Sequence, residues 1–201
     1  MTLMCKIKIN IAMNQQDDIK KAIEVMKKGG VILYPTDTVW GIGCDATNEE
    51  AVAKVYKIKH RNDSKALICL VDSSVRLQRY VRNVPEVAWQ IMELATKPTT
   101  VIFDNAVNLA PNLIAEDGSI GMRITQEPFS KELCYRFQKP IVSTSANISG
   151  EPAAQNYKDI TEELLDSVDY VCYSRRQEKK PHTPSCIIRI KVGGEVEIIR
   201  K

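Results

Sequence analysis

Apolar side chains recur every three or four positions in several segments of the chain, which is the spacing of an amphipathic helix. Such residues recur between positions 19 and 26, after Asn14, which can cap a helix, and before Gly29 and Gly30, which can end it. The same spacing predicts a second helix over about 49–58. Further helices are predicted near Val75, from Pro85 onwards and over 128–137.

Other segments are short apolar runs, or alternate apolar and polar residues, as strands do. These predicted strands are 1–11, 31–34, 39–44, 66–71, 99–103, 121–124, 140–143, 185–191 and 195–200. The last two flank Gly193 and Gly194 and predict a hairpin, so a purely parallel sheet is not expected. We expect an α/β fold of three layers, in which a mixed, twisted sheet carries helices on both faces and an open ligand cavity.

Length and composition favour one globular domain over residues 1–201. Lysine and arginine number 28 against 25 acidic residues, and this net charge of +3 does not by itself indicate nucleic-acid binding. The six cysteines show no Cys-x-x-Cys spacing, so we expect neither a zinc site nor a disulfide framework, and no metal ligands are predicted. Because the sequence has neither a signal-peptide pattern nor an apolar run long enough to span a membrane, we expect a cytoplasmic protein.

The most informative stretch is 139–152, where an apolar strand runs into small polar residues. Ile141 and Val142 are followed by Ser143, Ser145 and Asn147. Hydroxyl and amide groups at the end of a strand suit a ligand site, because short side chains and backbone there can approach an anion. The alternative is a Ser- and Asn-rich turn that satisfies its own backbone.

A second cluster lies upstream, over 34–44 and 59–65. Thr36, Asp37 and Thr38 follow a predicted strand, and three cations, Lys59, Arg61 and Lys65, lie on a connection after the second helix. Arginine and lysine together could hold a polyphosphate. The alternative is that these cations only complement the C-terminal end of the helix dipole.

Five short elements stand in a fixed order along the chain. They are Tyr34-Pro-Thr-Asp-Thr-Val-Trp-Gly-Ile-Gly43, Lys59-His-Arg61, Gly121-Met-Arg123, Ser145-Ala-Asn147, and Ser185-Cys-Ile187 with Ile199-Arg200. In these elements the chain resembles the YrdC-like threonylcarbamoyl-AMP synthases, from about residue 19 to residue 200. The resemblance implies the YrdC-like fold.

The resemblance also implies a reaction. Threonine takes up bicarbonate-derived CO2 on its amine, and the resulting carboxylate attacks the α-phosphate of ATP, giving threonylcarbamoyl-AMP and pyrophosphate. Mg2+ would travel with ATP, held mostly by phosphates and water. The product would serve the threonylcarbamoyladenosine modification of tRNA through a downstream tRNA threonylcarbamoyl transferase complex.

Site residues follow from the same resemblance. It implies that the residues around ATP are Lys59, Arg61, Lys65, Ser119, Ser145, Asn147 and Arg200, with Lys59 and Arg61 acting in catalysis. It implies that the residues around threonine are Thr38, Arg123, Ser143 and Ser185. Such chemistry needs positioning and charge neutralisation and no dedicated nucleophile.

Four features depart from the family pattern. Asn62 stands where proline is usual, Trp40 replaces tyrosine and Cys186 replaces threonine. The segment 174–184 is charged and carries two prolines, where related sequences usually have a glycine-rich connection. It could be a solvated loop or a mobile basic lid over the nucleotide.

Two other functions compete with the synthase. The first is a YrdC-like module that binds RNA in tRNA or ribosome maturation without synthase activity, and weak binding of tRNA or double-stranded RNA could also accompany a synthase. The mild net charge and the lack of an interleaved basic and aromatic stripe argue against RNA binding as the main role. The second is a hydrogenase-maturation carbamoyltransferase, whose Cys/His-rich modules are lacking here. The sequence leaves the oligomeric state open.

Overall fold

Helices and strands alternate along the part of the chain that the computed structural model describes, residues 14–60, 67–179, 182–191 and 193–201. The predicted strand at 1–11 lies outside the described residues. The helices are α1 (Gln15–Lys27), α2 (Glu49–Ile58), α3 (Ser74–Leu77), α4 (Glu86–Leu94), α5 (Pro128–Phe137) and α6 (Glu162–Ser167). The strands are β1 (Ile32–Tyr34), β2 (Gly41–Gly43), β3 (Ile68–Val71), β4 (Thr99–Phe103), β5 (Ile120–Ile124), β6 (Ile141–Ser145), β7 (Tyr170–Val171), β8 (Cys186–Ile190) and β9 (Val196–Arg200).

The first two helices begin at asparagine caps. The side chain of Asn14 accepts a hydrogen bond from the Asp17 amide at 2.9 Å, and Asn48 accepts one from the Ala51 amide at 3.0 Å. After α1 the backbone turns through Gly29, whose φ of 73° favours glycine. The predicted cap and end of α1 are therefore confirmed. Helix α6 was not among the predicted elements.

The described strands form one nine-stranded sheet in the order β7-β1-β2-β6-β3-β5-β4-β8-β9. Strands β3 and β5 run parallel, as do β4 and β8, whereas β2 and β6, β3 and β6, and β8 and β9 pair antiparallel. The expected mixed sheet and the final hairpin are confirmed. Strand β6 runs further than predicted, because Thr144 pairs with Ile42 and Ser145 with Gly41.

Alternate strand residues bury their side chains in two core layers on opposite faces of the sheet. Leu33, Ile42 and Val142 belong to the layer that contains α2 residues. Ile32 and Ile141 belong to the other layer, with residues of α1 and α5. Helices α1 and α5 also contact each other. The expected arrangement of three layers is therefore confirmed.

No helix within the described residues is both long enough and apolar enough to cross a membrane.

Candidate functional site

A cavity of about 330 Å³ opens over the sheet face that α1 and α5 cover elsewhere. Ser143, Ser145 and Ile68 share the side of the sheet that Ile141 and Leu70 occupy, since strand side chains alternate. The other residues that line the cavity include residues of neighbouring strands and of the loops after β1 and before β8. The lining residues are Thr38, Val39, Trp40, Gly41, Ile68, Arg123, Ser143, Thr144, Ser145, Asn147, Glu151, Ala153, Pro184, Ser185, Ile187 and Arg200.

Most of the predicted site residues meet in this cavity. The predicted residues that line it are Thr38, Arg123, Ser143, Ser145, Asn147, Ser185 and Arg200. Trp40 also lies on the cavity wall, where its ring is 5.2 Å from that of Tyr157. Residues that are up to 162 positions apart (200 minus 38) thus reach one concave surface.

The turn after β6 satisfies its own polar groups and also faces the cavity. Ser145 Oγ donates to Asn147 Oδ1 at 2.5 Å, and Asn147 Nδ2 donates to the Glu151 carbonyl at 2.6 Å. Both Ser145 and Asn147 line the cavity. The two interpretations of this stretch are therefore compatible, because internal hydrogen bonds hold the groups that a ligand would meet.

Lys59 lies behind that turn and is 1% exposed. Its ammonium donates to the Ser145 carbonyl at 2.7 Å, to the Asn147 carbonyl at 2.5 Å and to Asn147 Oδ1 at 3.0 Å. Lys59 therefore supports the Ser145–Asn147 turn from the side away from the cavity. A buried ammonium needs such acceptors, because an unpaired one is costly.

Arg123 forms the centre of a buried polar cluster and is 2% exposed. Its guanidinium nitrogens lie 3.3 Å from Thr38 Oγ1 and 3.2 Å from Thr100 Oγ1, and Nη2 lies 2.9 Å from Asp37 Oδ1. The last contact is one of charge only, since Asp37 Oδ1 completes no hydrogen bond there. Burial raises the pKa of Asp37, and the nearby Arg123 charge opposes that rise.

A second set of contacts links Ser185 with Arg200 at the other side of the cavity. Ser185 Oγ lies 2.9 Å from Thr100 Oγ1, and Arg200 donates from Nε and Nη2 to the Ser185 carbonyl at 3.0 and 2.8 Å. Burial and the charge of Arg123 lower the pKa of Arg200. Arg123 and Arg200 thus bring two guanidinium groups to one cavity, although Asp37 offsets part of the Arg123 charge. Guanidinium groups are suited to carboxylate and phosphate ligands.

The remaining predicted residues lie elsewhere. Ser119 is buried just before β5, where its amide donates to Asp117 Oδ1 at 3.0 Å, and it is not one of the described residues that line the cavity. Arg61, Lys65 and the Asn62 departure lie outside the described residues. The Cys186 side chain packs against the core layer that contains α2 residues.

Asp37, Thr100 and Glu151 belong to the site but were not predicted. Asp37 could have been noticed, because it stands between Thr36 and Thr38 in a motif already singled out. Thr100 gives no such signal, since it lies in an apolar strand and its role depends on pairing between β4 and β8.

Within the described residues, no group of three His, Cys, Asp or Glu side chains is placed to hold a metal ion.

The loop at 174–184 is anchored to the body of the protein in its described part. Asp18, a buried residue of α1, accepts hydrogen bonds from the amides of Tyr173 and Ser174 at 3.0 and 2.7 Å. Arg176 donates to the Cys172 carbonyl at 2.8 Å, and its guanidinium lies 4.9 Å from the Tyr157 ring. The solvated-loop hypothesis is therefore too simple for residues 174–176.

Comparison with known proteins identifies relatives along nearly the whole chain. The model of the Sua5_yciO_yrdC family, described as Telomere recombination, matches residues 24–201. A threonylcarbamoyl-AMP synthase of Stenotrophomonas maltophilia (strain K279a) is 36% identical over 182 residues, which cover 89% of this chain and 96% of that protein.

Two solved structures share the fold. The crystal structure of E. coli YciO matches with a TM-score of 0.81 and 24% identity, covering 94% of this chain and 90% of that one. P. abyssi Sua5 complexed with L-threonine matches with a TM-score of 0.77 and 21% identity, covering 88% of this chain. This chain spans 52% of that Sua5 chain, about half of its length.

Proposed function

The chain belongs to the Sua5, YciO and YrdC family, and we propose that it forms threonylcarbamoyl-AMP from L-threonine, bicarbonate or CO2, and ATP, with release of pyrophosphate. The observation that carries this proposal is the cavity itself. It combines a buried arginine surrounded by hydroxyl groups with a polar turn suited to phosphate. The curated synthase of S. maltophilia supports the same activity.

Arg123 is the proposed partner of the threonine carboxylate. Guanidinium binds a carboxylate through two parallel hydrogen bonds, and Arg123 lines the cavity with its guanidinium held by Thr38 and Thr100. The hydroxyls of Thr38, Ser143 and Ser185 line the same cavity as Arg123. They supply donors and acceptors for the threonine hydroxyl and amine.

The polar turn and Arg200 are proposed to hold the nucleotide. Ser145 and Asn147 would face the phosphates, and Arg200 adds a guanidinium from the last described strand. Lys59 contributes by keeping the turn in shape, as its three contacts indicate. Arg61 and Lys65 remain predicted triphosphate contacts.

The chemistry then needs little from the protein beyond position and charge. The threonine nitrogen forms a bond to CO2 carbon and loses a proton, giving a carbamate. A carbamate oxygen forms a bond to the α-phosphorus as the bond to pyrophosphate breaks. The guanidinium groups would neutralise anionic charge on both substrates.

Mg2+ would enter with ATP as part of that substrate. Glu151 is the one acidic side chain among the described residues that line the cavity, and it is exposed. Its backbone carbonyl accepts the hydrogen bond from Asn147 Nδ2, so Glu151 lies close to the proposed phosphate site. The metal would therefore keep most of its ligands from phosphate and water.

The product is proposed to serve tRNA modification in the cytoplasm. A mixed anhydride of a carbamate and AMP is reactive, so an acceptor enzyme, the predicted tRNA threonylcarbamoyl transferase complex, must consume it. Weak binding of tRNA or double-stranded RNA by this chain stays a prediction.

A direct test measures pyrophosphate release from ATP with threonine and bicarbonate supplied together, singly and not at all. We expect release only when both are present, together with a product containing labelled threonine, labelled carbonate carbon and AMP. Pyrophosphate release that ignores threonine and bicarbonate would contradict the synthase. The same assays with added tRNA separate an effect of RNA binding from catalysis.

A further inference from the structure

Arg175 occupies an unusual backbone position next to the proposed threonine site. Its φ is 63°, in the left-handed region that non-glycine residues rarely adopt, and its side chain is about three-quarters buried, with 23% exposed. Such a conformation is unfavourable by itself, so surrounding contacts must stabilise it. The contacts of its guanidinium explain how the conformation is held.

The guanidinium joins two loops that come from distant parts of the chain. Its Nη1 donates to the Thr36 carbonyl at 2.9 Å and lies 3.1 Å from Glu127 Oε1. Thr36 belongs to the loop after β1, and Glu127 to the loop after β5. The other side of the guanidinium contacts Glu178 through Nε at 2.7 Å, and Nη2 lies 3.2 Å from His182 Nε2.

Both loops carry groups of the proposed threonine site. Thr36 Oγ1 accepts from the Thr38 amide at 3.0 Å and lies 3.0 Å from Thr38 Oγ1, so a shift of Thr36 moves Thr38. Glu127 caps α5 through the amides of Phe129 and Ser130, just after the strand that carries Arg123. Arg175 therefore fixes the separation of the two loops from outside the cavity, whereas Arg123 and Asp37 link them from inside.

We propose that Arg175 is a positioning residue. It holds Thr38 and Arg123 at a fixed distance from each other and so sets the affinity of the site for threonine. This inference rests on the proposed function, since it assigns threonine to that end of the cavity. Arg175 contacts neither the cavity lining near Ser145 nor Arg200 in any described contact. Its removal should therefore weaken threonine binding and leave ATP binding unchanged.

The decisive variant is Arg175→Gly. Glycine adopts a positive φ without steric cost, so this change removes the guanidinium contacts, together with the rest of the side chain, without adding backbone strain. We expect the threonine dissociation constant and the KM for threonine to rise about tenfold, because small misplacements of binding groups are costly. The KM for ATP should stay near the wild-type value, and the melting temperature should fall by at most a few degrees, because relief of the backbone strain offsets part of the lost contacts.

We call the contacts of Arg175 with the Thr36 and Glu127 loops the clamp. Two further variants distinguish loss of the clamp from a general effect of removing a positive charge from this loop. Arg175→Lys keeps the charge but cannot span the same acceptors, so it should fall between wild type and Arg175→Gly. Lys179→Ala removes the same charge from the same loop at an exposed side chain and should change nothing. Calorimetric titration with threonine provides a readout that does not depend on turnover.

Each outcome decides one of the two proposals. A glycine variant with wild-type threonine affinity would overturn the clamp and leave the synthase untouched. Equal rises in the constants for threonine and ATP, with a much lower melting temperature, would also overturn it, since they indicate general loss of structure. Wild-type protein that binds threonine but makes no adenylate would refute the proposed function, while threonine affinity would still decide the clamp.

Discussion

At the scale of single residues, the buried guanidinium of Arg123 is held by contacts with the protein itself. Asp37, Thr38 and Thr100 already contact its guanidinium, and burial raises the pKa of Asp37. These contacts keep the guanidinium in one orientation before any ligand binds. A preorganised group loses less conformational freedom on binding than a mobile one.

Hydroxyl groups around Arg123 lead to a prediction about amino-acid choice. We expect threonine to be strongly preferred over valine, because a site built to hydrogen-bond a hydroxyl leaves its own polar groups unpaired with the analogue. Ser143→Ala should reduce this preference about fivefold, which corresponds to roughly 1 kcal/mol for one hydrogen bond. The measurement is the ratio of kcat/KM for the two amino acids.

Ser130→Ala provides the matched control for that ratio. Ser130 is also a buried serine, but it lies in α5 and its hydroxyl contacts Thr125. It should leave the ratio of threonine to valine unchanged even if it lowers stability. Equal use of valine and threonine by the wild-type enzyme would show that these hydroxyls do not form the amino-acid site.

The family resemblance predicted most of the residues that line the cavity, but sequence spacing alone could place together only residues of the same short motif. Ser145 and Asn147 are two positions apart, so their shared turn could be predicted. The inward direction of Lys59 could not, because its acceptors lie 86 and 88 positions away. The part played by Thr100 depends on contacts with Arg123 and Ser185, 23 and 85 positions away, which no local pattern reveals.

At the scale of elements, the end of β2 packs tightly against β6 and against a tyrosine of β1, at Gly43. A Cβ atom on Gly43 would lie 2.6 Å from both the Val142 carbonyl oxygen and Tyr34 Cε1. The carbonyl belongs to the backbone and cannot rotate away. Glycine is therefore required at this position to keep the strand in place.

Gly43→Ala should destabilise the protein by about 1–3 kcal/mol, the usual cost of overpacking a core. Gly193→Ala is the matched control, since a Cβ atom there would meet no heavy atom of the described residues within 4 Å, its chain neighbours aside. Denaturant unfolding of both variants measures the difference. Wild-type stability of Gly43→Ala would mean that β2 and β6 can separate without cost.

The fold was more predictable than the site because its signals are local. Periodic apolar residues and asparagine caps define α1 and α2 without help from distant residues. Strand ends were less predictable, since β6 extends to Ser145 only because β2 lies beside it. Helix α6 was missed because it is short, Glu162–Ser167, and buries only Leu164.

At the scale of the whole molecule, the sheet separates two core layers that both contain buried cysteines. Cys44 and Cys69 lie in the layer with α2 residues, and Cys134 and Cys172 lie in the layer with α1 and α5. Burial raises the pKa of all four thiols. A raised pKa keeps each thiol protonated, and the protonated form is not nucleophilic.

We therefore expect these four cysteines to resist an alkylating reagent in the native protein at about pH 8, near the ordinary thiol pKa of about 8.5. Cys186 is only partly buried and should react in the same experiment. Peptide mapping by mass spectrometry identifies the modified positions, and all five should react in denaturant. Native labelling of Cys69 as fast as Cys186 would contradict a dry core on that face.

The position of Arg200 in the last strand has a consequence for synthesis of the protein. A ribosome adds residues from the N-terminal towards the C-terminal end, and earlier segments can begin to fold while later ones are still being added. Thr38, Ser145 and Asn147 are therefore translated well before β9 can pair with β8 and bring Arg200 to the cavity. A nascent chain in which β9 has not yet been made would therefore lack Arg200 at the cavity and one edge strand of the sheet, so the described cavity lining is complete only once β9 is paired.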